Sequence, residues 1–271
     1  MKKYFVYLCL FIFIFSCNID SKKISRVPGN KSDEQAAFES NPANKHAKNI
    51  IFLIGDGMGL SQIYAGLTAN RGSLNLERIK YIGLSKTNSA NNYITDSGAS
   101  ATAFATGQKT NNLSIGVDIN GLPLPTILEI AEAHDLATGL VATSSITHAT
   151  PAAFIAHQPH KEMYEAIAAD FLKTDIDVFI GGGSKHFNQR SDGKDLIDTL
   201  KAKGYQVLFD IDAIAQIDSN KLAGFVAEDQ PLKISEGRGD YLSKAAMTAI
   251  NILNNNEKGF FLMIEGSQID W

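Results

Sequence analysis

Four short clusters of carboxylate, hydroxyl and imidazole side chains hold the residue types that could do chemistry in this chain. The first is Asp56, which stands among Gly55, Gly57 and Gly59. Glycine lets the backbone and a ligand approach each other closely, so Asp56 is a candidate metal ligand. A glycine-flanked aspartate is also typical of an ordinary turn or a helix N-cap, and this cluster alone leaves both interpretations open.

The second cluster is the pair Asp96 and Ser97, which small residues follow as far as Gly107. Asp96 or Ser97 can cap a helix, and the small residues before a glycine predict a closely packed helix. A serine oxygen at a helix N-terminus lies where partial positive charge favours an alkoxide or a phosphate. Ser97 is therefore a candidate nucleophile, and capping and catalysis are compatible.

Two further clusters add an imidazole, a hydroxyl and two carboxylates. His148 and Thr150 stand two residues apart just before Pro151, although this segment could simply be a loop that leads into a helix begun by proline. Glu265 and Asp270 flank a short polar turn after a predicted strand. Acidic side chains are rarely buried unless they are paired or bound to a cation, so this pair favours a metal site.

The candidate ligands share oxygen as the binding atom, which suits Mg²⁺ and in part Zn²⁺. They come from separate parts of the chain: Asp56, Thr150, Glu265 and Asp270. The two cysteines, Cys9 and Cys17, belong to the N-terminal apolar segment. The rest of the chain therefore has no thiol for a disulfide, a thiolate metal site or a cysteine nucleophile.

The elements that must position these clusters can be predicted from apolar spacing. Short apolar runs predict buried strands at residues 50–54, 139–143, 177–180, 206–209 and 260–264. Apolar residues three and four apart predict helices at 124–133, 163–173, 194–203 and 241–254. The alternation predicts an α/β fold whose largely parallel sheet has helices on both faces. Ligands bind beyond the carboxyl ends of such strands, where the clusters stand.

The N-terminus predicts export. Residues 1–17 have a basic start, an apolar core and Ser16 before Cys17, as in a signal peptide, and the apolar stretch is shorter than the roughly 20 residues of a membrane span. Residues 14–17 resemble a bacterial lipobox, which implies a lipid on Cys17 that anchors the protein to a membrane in the periplasm or at the outer membrane. An ordinary signal peptide with an incidental cysteine is the alternative.

The remaining chain is predicted to be a flexible linker at 18–47 and one α/β domain at 48–271. The 25 Lys and Arg against 29 Asp and Glu give a net charge of −4, and removal of Lys2 and Lys3 with the signal peptide leaves 23 against 29, or −6. An acidic domain of this kind argues against sequence-independent nucleic-acid binding, which depends on clustered Lys and Arg.

Taken in order, the four clusters resemble the successive signatures of the alkaline phosphatase family. The most specific is the Asp-Ser-Gly-Ala-Ser-Ala-Thr-Ala run at 96–103, and the resemblance extends from about Asn49 to the last residue. It implies a three-layer α/β/α sandwich that is incomplete at its C-terminus. It also implies hydrolysis of small phosphate monoesters with two zinc ions and one magnesium ion, and it is compatible with a homodimer.

The resemblance assigns metal-binding roles to Asp56, Ser97, His148, Thr150, Glu265 and Asp270. Asp56 would bridge a zinc ion and the magnesium ion. Thr150 and Glu265 would complete the magnesium site, with His148 beside it. Asp270 would bind the second zinc ion.

The catalytic residues implied by the resemblance are Ser97 and Lys161. Ser97 would attack phosphorus and form a phosphoserine, which water activated by zinc would hydrolyse. Lys161 stands where members of the family commonly have an arginine that holds two phosphate oxygens. Lysine offers a point charge and no planar fork, so phosphate would be held more loosely, and the alternative is a solvated lysine at a helix entry.

The family pattern continues past Asp270 to histidine ligands of zinc, whereas this sequence ends at Trp271. We therefore expect an N-terminal part of a longer enzyme, which by itself binds zinc poorly and hydrolyses little. Two alternatives stay open: a related metal-dependent phosphodiesterase or phosphomutase, and a non-catalytic lipoprotein that binds phosphate or metal. The remaining histidines lack ligand spacing and are interpreted as surface or capping residues: His134, His157, His160 and His186.

Overall fold

The computed structural model describes residues 47–269 of the chain. The predicted signal peptide with Cys17, the predicted linker apart from its last residue, and the predicted zinc ligand Asp270 lie outside the described residues, so these assignments stay predictions. Within residues 47–269, no helix is both long enough and apolar enough to cross a bilayer.

A parallel sheet of six strands forms the centre of the described part. In chain order the strands are β1 (Ile50–Gly55), β2 (Ala137–Ser145), β3 (Val178–Gly182), β4 (Gln206–Leu208), β5 (Leu222–Phe225) and β6 (Phe260–Gly266). Their order across the sheet is β1-β6-β2-β3-β5-β4. Because β6 pairs with both β1 and β2, the segments that follow these three strands emerge side by side.

Helices pack on both faces of the sheet. They are α1 (Leu60–Ala69), α2 (Ser97–Thr106), α3 (Ile127–Ala133), α4 (Ala149–Ala152), α5 (Tyr164–Asp170), α6 (Lys185–Asn188), α7 (Leu196–Ala202), α8 (Ile211–Ile214) and α9 (Tyr241–Leu253), with 3₁₀ turns at Asn75–Arg78 and Ile234–Glu236. Alternate residues of the strands enter two apolar clusters: Phe261 and Met263 join the cluster that contains α3 and α7, whereas Leu262 and Ile264 join the cluster that contains α9. The predicted three-layer α/β fold is thereby confirmed.

The second chemical cluster forms the helix that the sequence predicts. α2 begins at Ser97, and Asp96 caps it because its Oδ1 accepts a hydrogen bond from the Ala99 N–H at 2.9 Å. Gly107 ends the helix with φ = 72°, a left-handed conformation that glycine adopts without steric cost. The capping interpretation is therefore confirmed for Asp96, and the catalytic interpretation of Ser97 stays a prediction.

Several predicted boundaries differ from the observed ones for local reasons. The helix predicted at 124–133 begins at Ile127, because Thr126 and Glu129 form a capping box in which each side chain accepts the other residue's backbone N–H. The helix predicted at 163–173 ends at Asp170. β5 was not predicted, since Ala223 and Gly224 interrupt its large apolar residues.

Candidate active site

The sheet topology places Asp56 and Glu265 next to each other. β1 and β6 pair in register with Ile54 opposite Glu265, and the Asp56 N–H donates to the Gly266 carbonyl at 3.1 Å. Thr150 lies on α4, which follows β2 on the other side of β6. Three clusters that are far apart in sequence therefore meet at the carboxyl ends of the strands, as expected for a parallel sheet.

A cavity of about 840 Å³ opens at the carboxyl ends of the strands. Its lining includes Asp56, Ser97, His148 and Thr150, so four of the six predicted metal-binding residues face one space. Glu265 is fully buried and is not part of the lining. Ser97 reaches the cavity as the first residue of α2, which packs against α4.

Glu265 is a buried carboxylate, and hydrogen bonds from the described residues satisfy only one of its two oxygens. Its Oε2 accepts hydrogen bonds from the hydroxyls of Ser267 at 2.7 Å and Ser144 at 3.4 Å, while Oε1 has no hydrogen bond of normal geometry within residues 47–269. Burial raises the pKa of Glu265 to about 7, and the negative charge of Asp56 adds to this, although hydrogen bonds from Ser267, Thr150 and Ser144 oppose it. An unsatisfied buried carboxylate oxygen needs an explanation, and a cation is one that would satisfy it.

The residues around Glu265 fit a divalent cation with oxygen ligands. Asp56 and Glu265 repel each other electrostatically, and a cation between two carboxylates reverses that repulsion. The Thr150 hydroxyl, on a residue only 3% exposed, adds a neutral oxygen. Within residues 47–269, no group of three or more His, Cys, Asp or Glu side chains is close enough to form a metal site by itself, so the fit depends on this mixed set of oxygens.

Asp96 connects the candidate nucleophile to Lys161. Its Oδ2 accepts hydrogen bonds from the Leu113 N–H at 3.1 Å and lies 2.9 Å from Nζ of Lys161. Burial alone would raise the pKa of Asp96, but the hydrogen bonds from Lys161, Ala99 and Leu113 outweigh it and hold the pKa below its usual value. Lys161 is not part of the cavity lining. Its ammonium group is paired with the ionised Asp96, the residue that precedes Ser97.

His148 is the N-cap residue of α4 and lines the cavity. Burial lowers the pKa of its imidazole, and the nearby charge of Lys161 lowers it further. The ring is therefore neutral at neutral and alkaline pH, which is the state that can bind a metal ion through nitrogen.

Two of the histidines interpreted as surface or capping residues are structural instead. His186 is only 8% exposed, and its Nδ1 lies 2.6 Å from the hydroxyl of Thr147. His157 contacts a Glu129 oxygen at 2.9 Å and the Gly116 carbonyl at 2.7 Å. The surface interpretation of these two residues was wrong because their partners are 28 to 41 positions away in sequence. His134, in contrast, is the C-cap residue of α3.

The family model for alkaline phosphatase matches residues 47–271. The chain belongs to the alkaline phosphatase family. It is 38% identical to alkaline phosphatase 3 of Bacillus subtilis (strain 168) over 270 residues, which cover 93% of this chain and 58% of the relative. It is 34% identical to the alkaline phosphatase of Escherichia coli (strain K12) over 300 residues, which cover 88% of this chain and 64% of the relative. The chain therefore spans more than half, but less than two thirds, of these alkaline phosphatases.

Solved alkaline phosphatases have the same fold. The enzyme from the Antarctic bacterium TAB5 superposes with a TM-score of 0.81 at 43% identity, over 84% of this chain and 67% of that chain. A histidine-to-aspartate mutant of the TAB5 alkaline phosphatase, described as having Mg bound in the M3 site, superposes with a TM-score of 0.79 at 42% identity, again over 84% of this chain and 67% of that chain. The resemblance inferred from the four clusters is thus confirmed at the level of family and fold.

Proposed function

We propose that this protein hydrolyses phosphate monoesters through a phosphoserine formed on Ser97. The observation that carries the proposal is the position of Ser97, which is the first residue of a ten-residue helix and lines the same cavity as Asp56 and Thr150. A helix N-terminus favours the negative charge of an alkoxide or a phosphate. Membership of the alkaline phosphatase family agrees with this reaction.

The chain's own residues prepare Ser97 in two ways. Asp96 caps α2 and, because it is ionised, pairs with the Lys161 ammonium group one residue before the nucleophile in the chain. Positive charge in that position would attract the phosphate dianion of a substrate. Compared with an arginine, Lys161 would orient the phosphate less strictly, since it lacks a planar pair of donors.

Asp56, Thr150 and Glu265, with His148 beside them, are the residues we propose for the magnesium site. Asp56 and Ser97 would share one zinc ion, and Asp270 would bind the other. When bound, the divalent cations supply positive charge that makes a serine hydroxyl and a water molecule nucleophilic near neutral pH. The Mg in the TAB5 mutant structure supports a magnesium requirement, and the unsatisfied Oε1 of Glu265 supports the location.

Export, a lipid anchor on Cys17 and a homodimer belong to the same proposal. They are supported by the signal-like residues 1–17 and by the family resemblance. The inferred reaction takes small phosphate monoesters as substrates, and the acidic charge of the chain offers no basis for nucleic-acid binding.

The decisive experiment compares wild type, Ser97→Ala and the matched control Ser243→Ala, a serine on the exposed side of α9. Each is assayed with Zn²⁺ and Mg²⁺, as the 271-residue chain and as the product of the complete reading frame that contains it. We expect Ser97→Ala to lower kcat by at least about 10³-fold, with Ser243→Ala unchanged. Rapid acid quenching and peptide mass spectrometry should find phosphate on Ser97.

Phosphate on another residue, or normal turnover by Ser97→Ala, would refute the assignment of the nucleophile. Faster hydrolysis of a phosphate diester than of the matching monoester would favour the phosphodiesterase alternative. Phosphate or metal binding by both forms without any turnover would favour a non-catalytic binding protein.

A further inference from the structure

The cavity is larger than a phosphate group requires. Its volume of about 840 Å³ lies in the range of sites that enclose whole organic ligands, about 300–1,000 Å³. Besides the residues already assigned to phosphate and metal, its lining includes Tyr164 and Gln230. The cavity therefore has room for the alcohol part of a phosphate ester, and these two residues are available to contact it.

Tyr164 presents a supported aromatic ring. It is the first residue of α5 and is half-buried, and its ring stacks on that of His186 with centroids 4.8 Å apart and planes at 12°. His186 is itself held by Thr147, whose hydroxyl lies 2.6 Å from Nδ1. Because His186 covers one face of the phenol, the other face is the surface that Tyr164 can offer to a ligand.

Gln230 is held by the same buried hydroxyl network. Its Oε1 accepts the Ser145 N–H at 2.7 Å, and the Ser145 hydroxyl lies 2.8 Å from that of Thr147. With its oxygen occupied, Gln230 has its amide N–H₂ left to donate, and no hydrogen bond from Nε2 to another residue is found within residues 47–269. The two lining residues are thus positioned by one shared network, through Ser145 and His186.

The two stacked rings are uncharged at neutral pH, although charged groups such as Lys185 and Asp229 lie near them. Burial lowers the pKa of His186, and the charge of Lys185 lowers it further, so the imidazole is neutral. Burial also raises the pKa of Tyr164, so the phenol keeps its proton. A neutral ring with a neutral donor nearby can contact a ligand by stacking and hydrogen bonding.

We propose that Tyr164 and Gln230 form the subsite for the alcohol part of the substrate, and that this subsite favours a nucleoside. A nucleobase has a flat ring that stacks on tyrosine and ring acceptors that an amide N–H₂ can reach. The inference rests on the proposed function, because it assigns the leaving group of the reaction that starts at Ser97.

The test compares adenosine 5′-monophosphate with ribose 5-phosphate. Both lose phosphate from the same primary hydroxyl, so the ratio of their kcat/KM values isolates the contribution of the base. We expect wild type to prefer the nucleotide by about tenfold, a ratio typical of one base–aromatic stack. Tyr164→Ala should bring the ratio close to one mainly by raising KM for the nucleotide, and Tyr164→Phe should keep it.

Two further variants complete the design. Gln230→Ala should lower the ratio by a few-fold, since it removes a donor without removing the ring. Tyr64→Ala is the matched control, because Tyr64 is 71% exposed on α1 and lies outside the cavity lining. An unchanged melting temperature in each variant would show that folding is intact, and Tyr64→Ala should keep the wild-type kcat/KM for both substrates.

The outcomes separate this inference from the function on which it rests. If wild type and Tyr164→Ala hydrolyse both substrates with the same ratio, the subsite is overturned and the phosphatase function stands. If wild type hydrolyses neither substrate, the proposed function is overturned and the subsite falls with it. A preference that is lost in Tyr164→Phe as well as in Tyr164→Ala would contradict a stacking role for the ring.

Discussion

Asp56 and Glu265 follow neighbouring strands, but these two strands are packed very differently. On β6, the residues from Phe260 to Glu265 are all buried, and β2 beside it is buried along its whole length. On β1, Leu53 is 72% exposed, and α1, which follows Asp56, has no buried residue. We call β2, β6 and the helices packed on them the buried side of the site, and β1 with α1 its exposed side.

This difference shows that the ligands of one site can be held by different forces. Thr150 and Glu265 belong to the buried side, where close packing leaves few alternative rotamers. Asp56 belongs to the exposed side, where the backbone pairing of β1 with β6 does most of the positioning. Substitutions in the core should therefore change the positions of Thr150 and Glu265, whereas local unfolding of β1 should change the position of Asp56.

The largest expected effect is on the buried side. Phe154 is fully buried, with its ring 6.1 Å from that of Phe52 and 6.0 Å from that of Phe261. Phe154→Ala should lower the free energy of unfolding by about 3–5 kcal/mol. The control Leu53→Ala, on the exposed side, should change it by about 0.5 kcal/mol or less. Urea unfolding followed by circular dichroism measures both, and equal losses would mean that the outer face of β1 is covered in the folded protein.

The next effect concerns the charge of Glu265 in protein stripped of metal with a chelator. Folding raises the pKa of Glu265 from 4.5 to about 7, so the folded state is favoured when Glu265 is protonated. This contribution to the free energy of unfolding is fully present below pH 4.5 and is lost as the pH rises through 7. Glu265→Gln should therefore gain stability relative to wild type between pH 5 and 8, by about 3 kcal/mol at most. Thermal unfolding over this pH range gives the difference.

The comparison variant for this prediction is Asp56→Asn, on the exposed side. Because the charge of Asp56 contributes less than burial to the raised pKa of Glu265, this variant should gain stability over the same pH range, but less than Glu265→Gln does. Added Mg²⁺ should stabilise wild type but not Glu265→Gln. Parallel stability curves for wild type and Glu265→Gln, with or without Mg²⁺, would show that the buried carboxylate is already neutralised by other groups.

The smallest expected effect tests whether burial also determines how much an ion pair contributes to the free energy of unfolding. The hydrogen bond to Glu129 raises the pKa of His157 above 6.5, against the opposing effect of burial. The pair therefore stabilises the fold fully below pH 6.5, and this contribution is lost as pH rises through the raised pKa. His157→Gln should cost about 1 kcal/mol at pH 6 and less at pH 9.

A more exposed ion pair supplies the control. Lys201 lies 3.3 Å from Asp198, and their side chains are 57% and 75% exposed. Lys201→Gln should leave the melting temperature nearly unchanged at both pH values, because water screens this pair. A cost of His157→Gln that does not vary with pH would mean that the imidazole acts only through packing.

Local patterns predicted much of the fold. The runs at 50–54, 139–143 and 260–264 correspond to β1, β2 and β6. Apolar runs of this length are typical of strands in a parallel sheet, although only β2 and β6 are buried. The apolar patterns that we used missed β5, in which Ala223 and Gly224 interrupt the large apolar residues, and α1, none of whose residues is buried. An element whose stability comes from its neighbours leaves a weak signal in its own sequence.

For the candidate site, the sequence by itself determined which side chains could do chemistry and that they follow strands or begin a helix. Ser97 at the tip of α2 needs only its neighbours, because Asp96 caps the helix and Gly107 ends it. Such features depend on interactions within a few residues, which any sequence of this pattern can form.

Only the tertiary structure decided which of these residues meet. β6 lies between β1 and β2, and this brings Glu265 beside Asp56, more than two hundred positions earlier in the chain. The same long-range packing joins Lys161 to Asp96 and places His186 behind Tyr164. The reason is physical: strand order and the burial of polar groups follow from the free energy of the whole packed core, which no short segment contains.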